Sequence, residues 1–455
     1  MMLLSQAAQV LGGRMIGRDV EFSAVSSDSR AIAAGDLFVA LQGENFDGSQ
    51  FIAMAAESGA VAALVNQDAG RRMQDAGDIS LLLVEDTRLA LGQLAAWWRK
   101  QFSIPVVGIT GSNGKTTVKE MLAAVLREAA GSADAVLATQ GNLNNDIGMP
   151  LTLLKLRTQH RYAVIEMGMN HHGEIDYLTR LACPDVAVIN NAAGAHLAGL
   201  GSLEGVARAK GEIFAGLSAA GVAVINADDA HAAMWRELAK PRRVIEFGLE
   251  QQPQVNAQWQ AQNFGVRMDV RTPQGEFPAT LQVPGVHNVR NALAATAAAI
   301  ALQVPLKAIS AGLEKFAGVA GRLQRKTALH GATLIDDTYN ANPASLRAAL
   351  KVLAQARGKK LLVLGDMGEL GADAAHMHAE IGTEARNMGV NKLFALGDLS
   401  AYAVEEFGAG ASHFQRIEDL YAALEQELDA DSTVLVKGSR FMKMERVVRH
   451  CTTLQ

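Results

Sequence analysis

The stretch Val106 to Met121, VVGITGSNGKTTVKEM, constrains this chain more than any other: an apolar run, a glycine-rich turn, then Lys-Thr-Thr opening a helix. Gly111 and Gly114 can take backbone angles closed to other residues, so the loop can curl round an anion with its N–H groups turned inward. Lys115 adds a point charge for the outer phosphates and Thr116 a hydroxyl of the kind that holds Mg²⁺. The helix starting beside them presents the positive end of its dipole. Strict Walker A spacing would put glycine where Ile109 stands, whereas Gly108 comes one residue early, so the loop is a variant of that motif. As a plain glycine-rich turn it would leave Lys115, Thr116 and Thr117 unexplained.

With 455 residues, the chain is too long for one ordinary core, and about 150 residues per domain suggests roughly three. Its 43 glycines and 5% aromatic residues suit helices packed closely on parallel sheets. A net charge of -5 without a Lys/Arg cluster argues against nucleic acid as a partner, and the ligand is expected to be small. Cys183 and Cys451 are the two cysteines; they cannot build a disulfide framework and sit in no metal-ligand spacing. The opening MMLLSQAAQVLGGRM lacks a positive n-region, and no run approaches the roughly 18 apolar residues of a membrane span. A cytoplasmic protein without a membrane span is expected.

Residues 1–98 alternate short apolar strands with helices and read as a small α/β unit. Within it Ser26 to Phe51 is unusually polar: Asp28, Ser29 and Arg30 precede a strand, and Glu44, Asn45, Phe46, Asp47 and Gly48 follow it. These are either two solvated turns or a binding lip. Residues 99–318 are βαβ throughout, with strands so continuously apolar that they must be buried on both faces of a parallel sheet. Ligands gather at the carboxyl ends of such strands, where Glu166, the pair Asn190 and Asn191, and the pair Asp228 and Asp229 stand. After Gly248 the residues alternate, predicting antiparallel strands added to the sheet, and GVAGR at 318–322 is a candidate hinge. Residues 319–455 form a third, doubly wound, Rossmann-like unit without GxGxxG, again with polar strand ends: Asp336, Asp337, Asp366, Lys437 and Arg440. The expected class is α/β in three domains: a small N-terminal one, a central parallel-sheet P-loop ATPase domain with an antiparallel addition, and a C-terminal doubly wound one.

A triphosphate in the loop needs a divalent metal, and Mg²⁺ takes a few hard oxygens plus water. Thr116 can supply one and Glu166, closing a neighbouring buried strand, another; otherwise Glu166 is a helix-cap partner or surface charge. His196 follows the next strand in a Gly- and Ala-rich loop, as a second metal contact or a structural histidine. His171 and His172 read as loop or helix-start residues. Lys210, in ARAKGEIF, reads as an ordinary solvated lysine.

Through all three domains the sequence resembles the Mur ligases. The resemblance rests on SDSRAIAAGDLFVALQGENFDG, GITGSNGKTTVKEML, GNLNNDIGMPLTLL, EMGMNHHGEI, AHLAGLGSLEGVARAKGEIF, PGVHNVRNALAA, GRLQ, DDTYNANPASL, LGDMGELG and VLVKGSRFMKME. It implies that Gly111, Ser112, Asn113, Gly114, Lys115, Thr116 and Thr117 cradle ATP, and that Thr116 and Glu166 hold Mg²⁺, with His196 at a second Mg²⁺. Lys210 stands where family members carry a lysine carbamylated by CO₂, and Lys115, Glu166, His196 and Lys210 become the catalytic set. Asn291, Arg322 and Asp337 would meet adenine, ribose or phosphate. Ser29, Arg30 and Glu44 to Gly48 match a uridine-nucleotide lip, and an incoming dipeptide would meet Tyr339, Asn340, Asn342, Lys437, Ser439 and Arg440. The implied substrates are UDP-N-acetylmuramoyl-tripeptide and D-alanyl-D-alanine, joined by a monomer through an acyl phosphate in peptidoglycan precursor synthesis.

Family members that add a diamino acid commonly carry Asp-Asn-Pro-Arg; here that region reads YNANPAS. Folylpolyglutamate synthase shares the phosphate loop but lacks the uridine lip. A nucleotide-triphosphate switch or motor would show NKxD or a Walker B aspartate, and Glu166 is the only comparable residue.

Overall fold

A computed structural model describes residues 1–43, 46–68, 79–194, 200–262 and 264–452. At its centre lie six parallel strands in the spatial order Val136–Ala138, Tyr162–Glu166, Val106–Thr110, Val186–Ile189, Val222–Asn226 and Arg243–Phe247. Alternate residues of a strand point to opposite faces, and both faces here are apolar. Val107, Ile109, Val164 and Val188 pack under the helices Lys115–Ala130 and Val286–Ala301. Val106, Ile165, Ala187 and Ile189 pack under Glu174–Ala182 and Leu203–Gly211. The alanine run of Val286–Ala301 is buried along its length, so small side chains let that helix lie close to its neighbours.

The antiparallel strands Asn256–Gln262, Gly265–Thr272 and Gly275–Leu281 make a separate three-stranded sheet rather than widening the central one. Its inward residues Val266, Met268, Val270, Ala279 and Leu281 join the same apolar cluster as the phosphate-loop helix.

The N-terminal unit is a five-stranded sheet ordered Arg14–Ile16, Ser80–Val84, Ala62–Asn66, Asp36–Val39, Ala24–Ser26. The helix Thr87–Arg99 leads out of it, begun by Asp86, whose carboxylate accepts from the Arg88 and Leu89 amides. Leu91, Leu94 and Ala95 on this helix belong to one continuous core that includes Leu37 and Leu64 of the first sheet and Ile165 and Ile189 of the central sheet.

The C-terminal unit has six strands in the order Gln324–Thr327, Thr333–Asp337, Ser432–Lys437, Lys359–Gly365, Lys392–Leu396, Ala411–Phe414, parallel except for the first. Its two faces carry cores of their own. The edge strands Arg243–Phe247, Gln324–Thr327 and Ala411–Phe414 are absent from the sequence-based expectation. Each is short, and Gln324–Thr327 is half-exposed along its length, so no long apolar run marks it.

Candidate active site

The register of the central sheet puts Ile109 beside Glu166 and Thr110 beside Ile189. The phosphate loop therefore emerges between the strand ending at Glu166 and the strand followed by Asn190. Those asparagines brace it. The Asn191 side-chain carbonyl accepts from the Asn113 amide at 2.9 Å, while Asn190 Nδ2 donates to the Asn113 carbonyl and to Asn291 Oδ1, each at 2.9 Å. Gly114 sits at φ 79° as the helix Lys115–Ala130 begins, and a Cβ there would lie 2.4 Å from Asn291 Oδ1. Only glycine combines that backbone with that closeness.

Lys115 Nζ donates to the Gly111 carbonyl at 2.7 Å. Burial lowers its pKa, Glu166 opposes that shift, and the Arg322 charge adds to it. Thr116 Oγ1 donates to Glu166 Oε2 at 2.8 Å, and Asn144 Nδ2 donates to Glu166 Oε1 at 2.8 Å. Glu166 is 2% exposed. One carboxylate and one hydroxyl are hard oxygen donors, and among the described residues no group of three or more His, Cys, Asp or Glu could hold a metal. That sparse donor set fits Mg²⁺, which keeps several waters and phosphate oxygens, and does not fit an all-protein metal cage.

Lys210, which the sequence alone presents as solvated, is 2% exposed. Burial first, then the neighbouring Lys115 charge, holds its amine well below the ordinary lysine range. His196 lies outside the described residues. His171 is exposed beside Glu174, and His172 Nδ1 is 3.7 Å from Glu212, which itself accepts from the Gly173 and Asp176 amides. Both are residues of the loop before the helix Glu174–Ala182, as their sequence position suggests.

Across the cleft, Arg322 lies 4.2 Å over the Tyr339 ring and donates through Nη2 to Thr116 Oγ1 at 3.0 Å. Its Nε is buried without a partner. Asn342 starts the helix Pro343–Ala354 by accepting from the Ser345 amide, and its Nδ2 donates to Asn113 Oδ1 at 2.9 Å. Lys437 donates to Asp337 and, at 3.0 Å, to the Asn340 carbonyl. Burial raises the Asp337 pKa, with Lys437 as the main opposing influence. Ser439 Oγ accepts from the Gly368 amide at 2.8 Å, and Arg440 pairs with Glu445 at 3.3 Å.

These groups line one cleft of about 1310 Å³ between the central and C-terminal units, which takes in Ser112 to Lys115, Glu166, Lys210, Asn291, Arg322, Asp337, Tyr339, Asn340, Asn342, Lys437, Ser439 and Arg440. The N-terminal unit contributes Asp86, Arg88 and Leu89 to its wall. The lip residues Ser29, Arg30, Phe46, Asp47 and Gly48 are elsewhere on that unit. Arg30 chelates Asp28 and holds its carboxyl down at about 2, and Phe46 stacks on Phe51 at 5.4 Å. Glu44 and Asn45 lie outside the described residues. Asn144 and His287 were not singled out in the sequence. The first sits in the asparagine-rich GNLNND run; the second is a cleft imidazole pushed down to about 4 by burial, then by Lys437 and Arg290.

Three stretches match family models: the Mur ligase family catalytic domain over residues 21–99, the Mur ligase middle domain over 109–299, and the Mur ligase glutamate ligase domain over 321–440. The UDP-N-acetylmuramoyl-tripeptide--D-alanyl-D-alanine ligase of Escherichia coli K12 is 43% identical over 453 residues, covering 98% of this chain and 97% of the relative. Among solved structures, MurF from Acinetobacter baumannii superposes with a TM-score of 0.89 at 38% identity, over 98% of this chain and 97% of the other. MurF from Thermotoga maritima in complex with ADP gives 0.80 at 27% identity, over 94% and 96%.

Proposed function

The chain belongs to the Mur ligase family, and we infer that it is the ATP-dependent ligase joining D-alanyl-D-alanine to UDP-N-acetylmuramoyl-tripeptide. The products are UDP-N-acetylmuramoyl-pentapeptide, ADP and phosphate, and the step belongs to peptidoglycan precursor synthesis. The substrate carboxylate attacks the γ-phosphoryl group to give an acyl phosphate; the dipeptide amine then forms the amide bond and phosphate leaves. Both steps pass through anionic transition states. Lys115 and the amino-terminal end of the helix Lys115–Ala130 answer that charge, and Asn190, Asn191 and Asn291 keep the loop in shape.

We propose that Thr116 and Glu166 hold Mg²⁺, with His196 at a second ion. Bound there, Mg²⁺ supplies charge neutralisation for the phosphoryl oxygens. The Lys210 amine, its pKa held low by burial and then by the Lys115 charge, is suited to attack CO₂: the N–C bond forms, a proton is released, and the resulting carbamate carries negative charge beside Lys115. Asn291, Arg322 and Asp337 receive the nucleotide. Tyr339, Asn340, Asn342, Lys437, Ser439 and Arg440 face the dipeptide, and Ser29, Arg30 and residues 44–48 grip the uridine end. In this reading residues 1–98 hold the UDP-sugar, 99–318 the ATP and 319–455 the dipeptide, in a monomer working in the cytoplasm. No helix among the described residues is long and apolar enough to cross a membrane.

The observation that carries the reading is the 2.8 Å hydrogen bond from Thr116 to Glu166, at the foot of a cleft that also holds Lys115 and Lys210. Purified protein should release ADP and phosphate only when UDP-muramoyl-tripeptide and D-alanyl-D-alanine are both present. AMP and pyrophosphate as products, or turnover with meso-diaminopimelate in place of the dipeptide, would sink it.

A further inference from the structure

Beyond Lys437, at the wall of the cleft farthest along the chain, the strand Ser432–Lys437 gives way to the short turn Arg440–Met442. Phe441 in this turn is 62% exposed, the most of any large apolar residue among those described, and it lines the cleft. A lone exposed ring is ordinary; this one has a seat. A Cβ added to Gly368 would lie 2.9 Å from Phe441 Cε1 and 3.6 Å from Cδ1, so the ring rests on a residue that has no side chain. The Gly368 amide donates to Ser439 Oγ, which in turn donates to the Ala341 carbonyl. The floor under the ring is thereby tied to both neighbouring loops. Ala341, Ala344 and Leu370 line the same cleft.

Next to the ring stands a cation. Arg440 is tethered through Nη1 to Glu445 Oε1 at 3.3 Å while its side chain stays 63% exposed. The other oxygen of Glu445 is buried without a hydrogen-bond partner, so Arg440 is what offsets the charge of that carboxylate. A guanidinium fork beside an apolar face matches a carboxylate that has a small alkyl group on its α-carbon. The carboxyl-terminal half of D-alanyl-D-alanine has that chemistry.

We infer that Phe441, seated on Gly368, sets the side-chain size accepted at the carboxyl-terminal residue of the incoming dipeptide, with Arg440 taking its carboxylate. This rests on the dipeptide-ligase reading above and deepens it. The ring covers a methyl group and blocks anything much larger, and Gly368 fixes how far the ring stands into the cleft. Phe441→Ala and Gly368→Ala therefore act on one gauge in opposite senses: the first opens it, the second pushes the ring off its seat into the cleft.

The test measures kcat/KM for D-alanyl-D-alanine and for D-alanyl-D-leucine on the full chain, with KM for ATP and the melting temperature as controls. A misfit of a methylene or more in an apolar pocket is worth about 10- to 200-fold. Phe441→Ala should raise KM for D-alanyl-D-alanine and lower the preference for it over the leucine dipeptide by about tenfold. Phe441→Leu should recover most of that preference, and Gly368→Ala should sharpen it, with KM for ATP unmoved. A preference within twofold of wild type in both alanine variants overturns the inference while leaving the ligase reading intact. A wild-type protein that does not turn over D-alanyl-D-alanine overturns both.

Discussion

Replacing Thr116 by valine keeps the volume of the side chain and deletes one hydroxyl, and the structure says what that hydroxyl holds. It donates to Glu166 Oε2 at 2.8 Å and accepts from Arg322 Nη2 at 3.0 Å. Glu166 is almost wholly buried, so its carboxylate loses a donor where water does not replace it, a cost of about 1.5–3 kcal/mol for a hydrogen bond to a charged group. The Arg322 bond is only part-buried and adds roughly 0.5–1 kcal/mol at most. The sum, about 2–4 kcal/mol, corresponds to roughly 4–16 °C of melting temperature for a unit of some 200 residues. Thr116→Ser restores the hydroxyl and should restore most of both. The assay is thermal unfolding with and without Mg²⁺ and ADP. Wild type and Thr116→Ser should gain stability from the pair together, and Thr116→Val should start lower and gain much less. A valine variant as stable as wild type, with an undiminished response to Mg²⁺ and ADP, would refute the reasoning, because neither hydrogen bond would then matter.

Lys210 supplies two further tests. Its folded pKa lies well below the unfolded value of 10.5, so between the two the unfolded chain binds more protons and this residue's contribution to stability rises with pH. Lys210→Met should remove that slope from urea titrations across this range, and a slope identical to wild type would contradict the burial argument. Lys210→Ala should inactivate, with partial recovery by added short carboxylic acids; unchanged activity would remove the residue from the mechanism. The thiols differ as well: Cys183 is exposed, while Cys451 is buried with its pKa pushed up to about 12. A disulfide reagent near neutral pH should therefore modify one thiol per native chain and both after denaturation, and fast modification of both in the native protein would count against the packing of the last helix.

The phosphate loop could be read from sequence because its whole mechanism is local: strand, turn and helix follow one another within Val106 to Met121. Glu166 could be placed because a carboxylate closing a continuously apolar strand must emerge at a strand end. Lys210 could not. A lysine near the end of an amphipathic helix looks solvated, and only the tertiary stacking of the helix Leu203–Gly211 on the central sheet buries it. The resemblance to a known family carried that residue where local pattern did not. Asn144 and His287 owe their positions to contacts across long stretches of chain, with Glu166 and beside Lys437, which no periodicity announces. The edge strand Gln324–Thr327 escaped for a different reason: it is polar and half-exposed, so it lacks the apolar run by which strands are recognised.

One core runs unbroken from Met2 to Ala239 by way of the helix Thr87–Arg99, whereas the C-terminal sheet keeps its own and meets the phosphate loop through the hydrogen bonds of Arg322 and Asn342. Residues 318–322, the candidate hinge, are where we expect the chain to bend. Bending there would part those hydrogen bonds and the packing of Phe264 on the C-terminal core, while shear between the first two units would tear oil from oil. Because the loop at Ser112 to Lys115 and the wall at Lys437 to Phe441 line one cleft, such a bend would open both together.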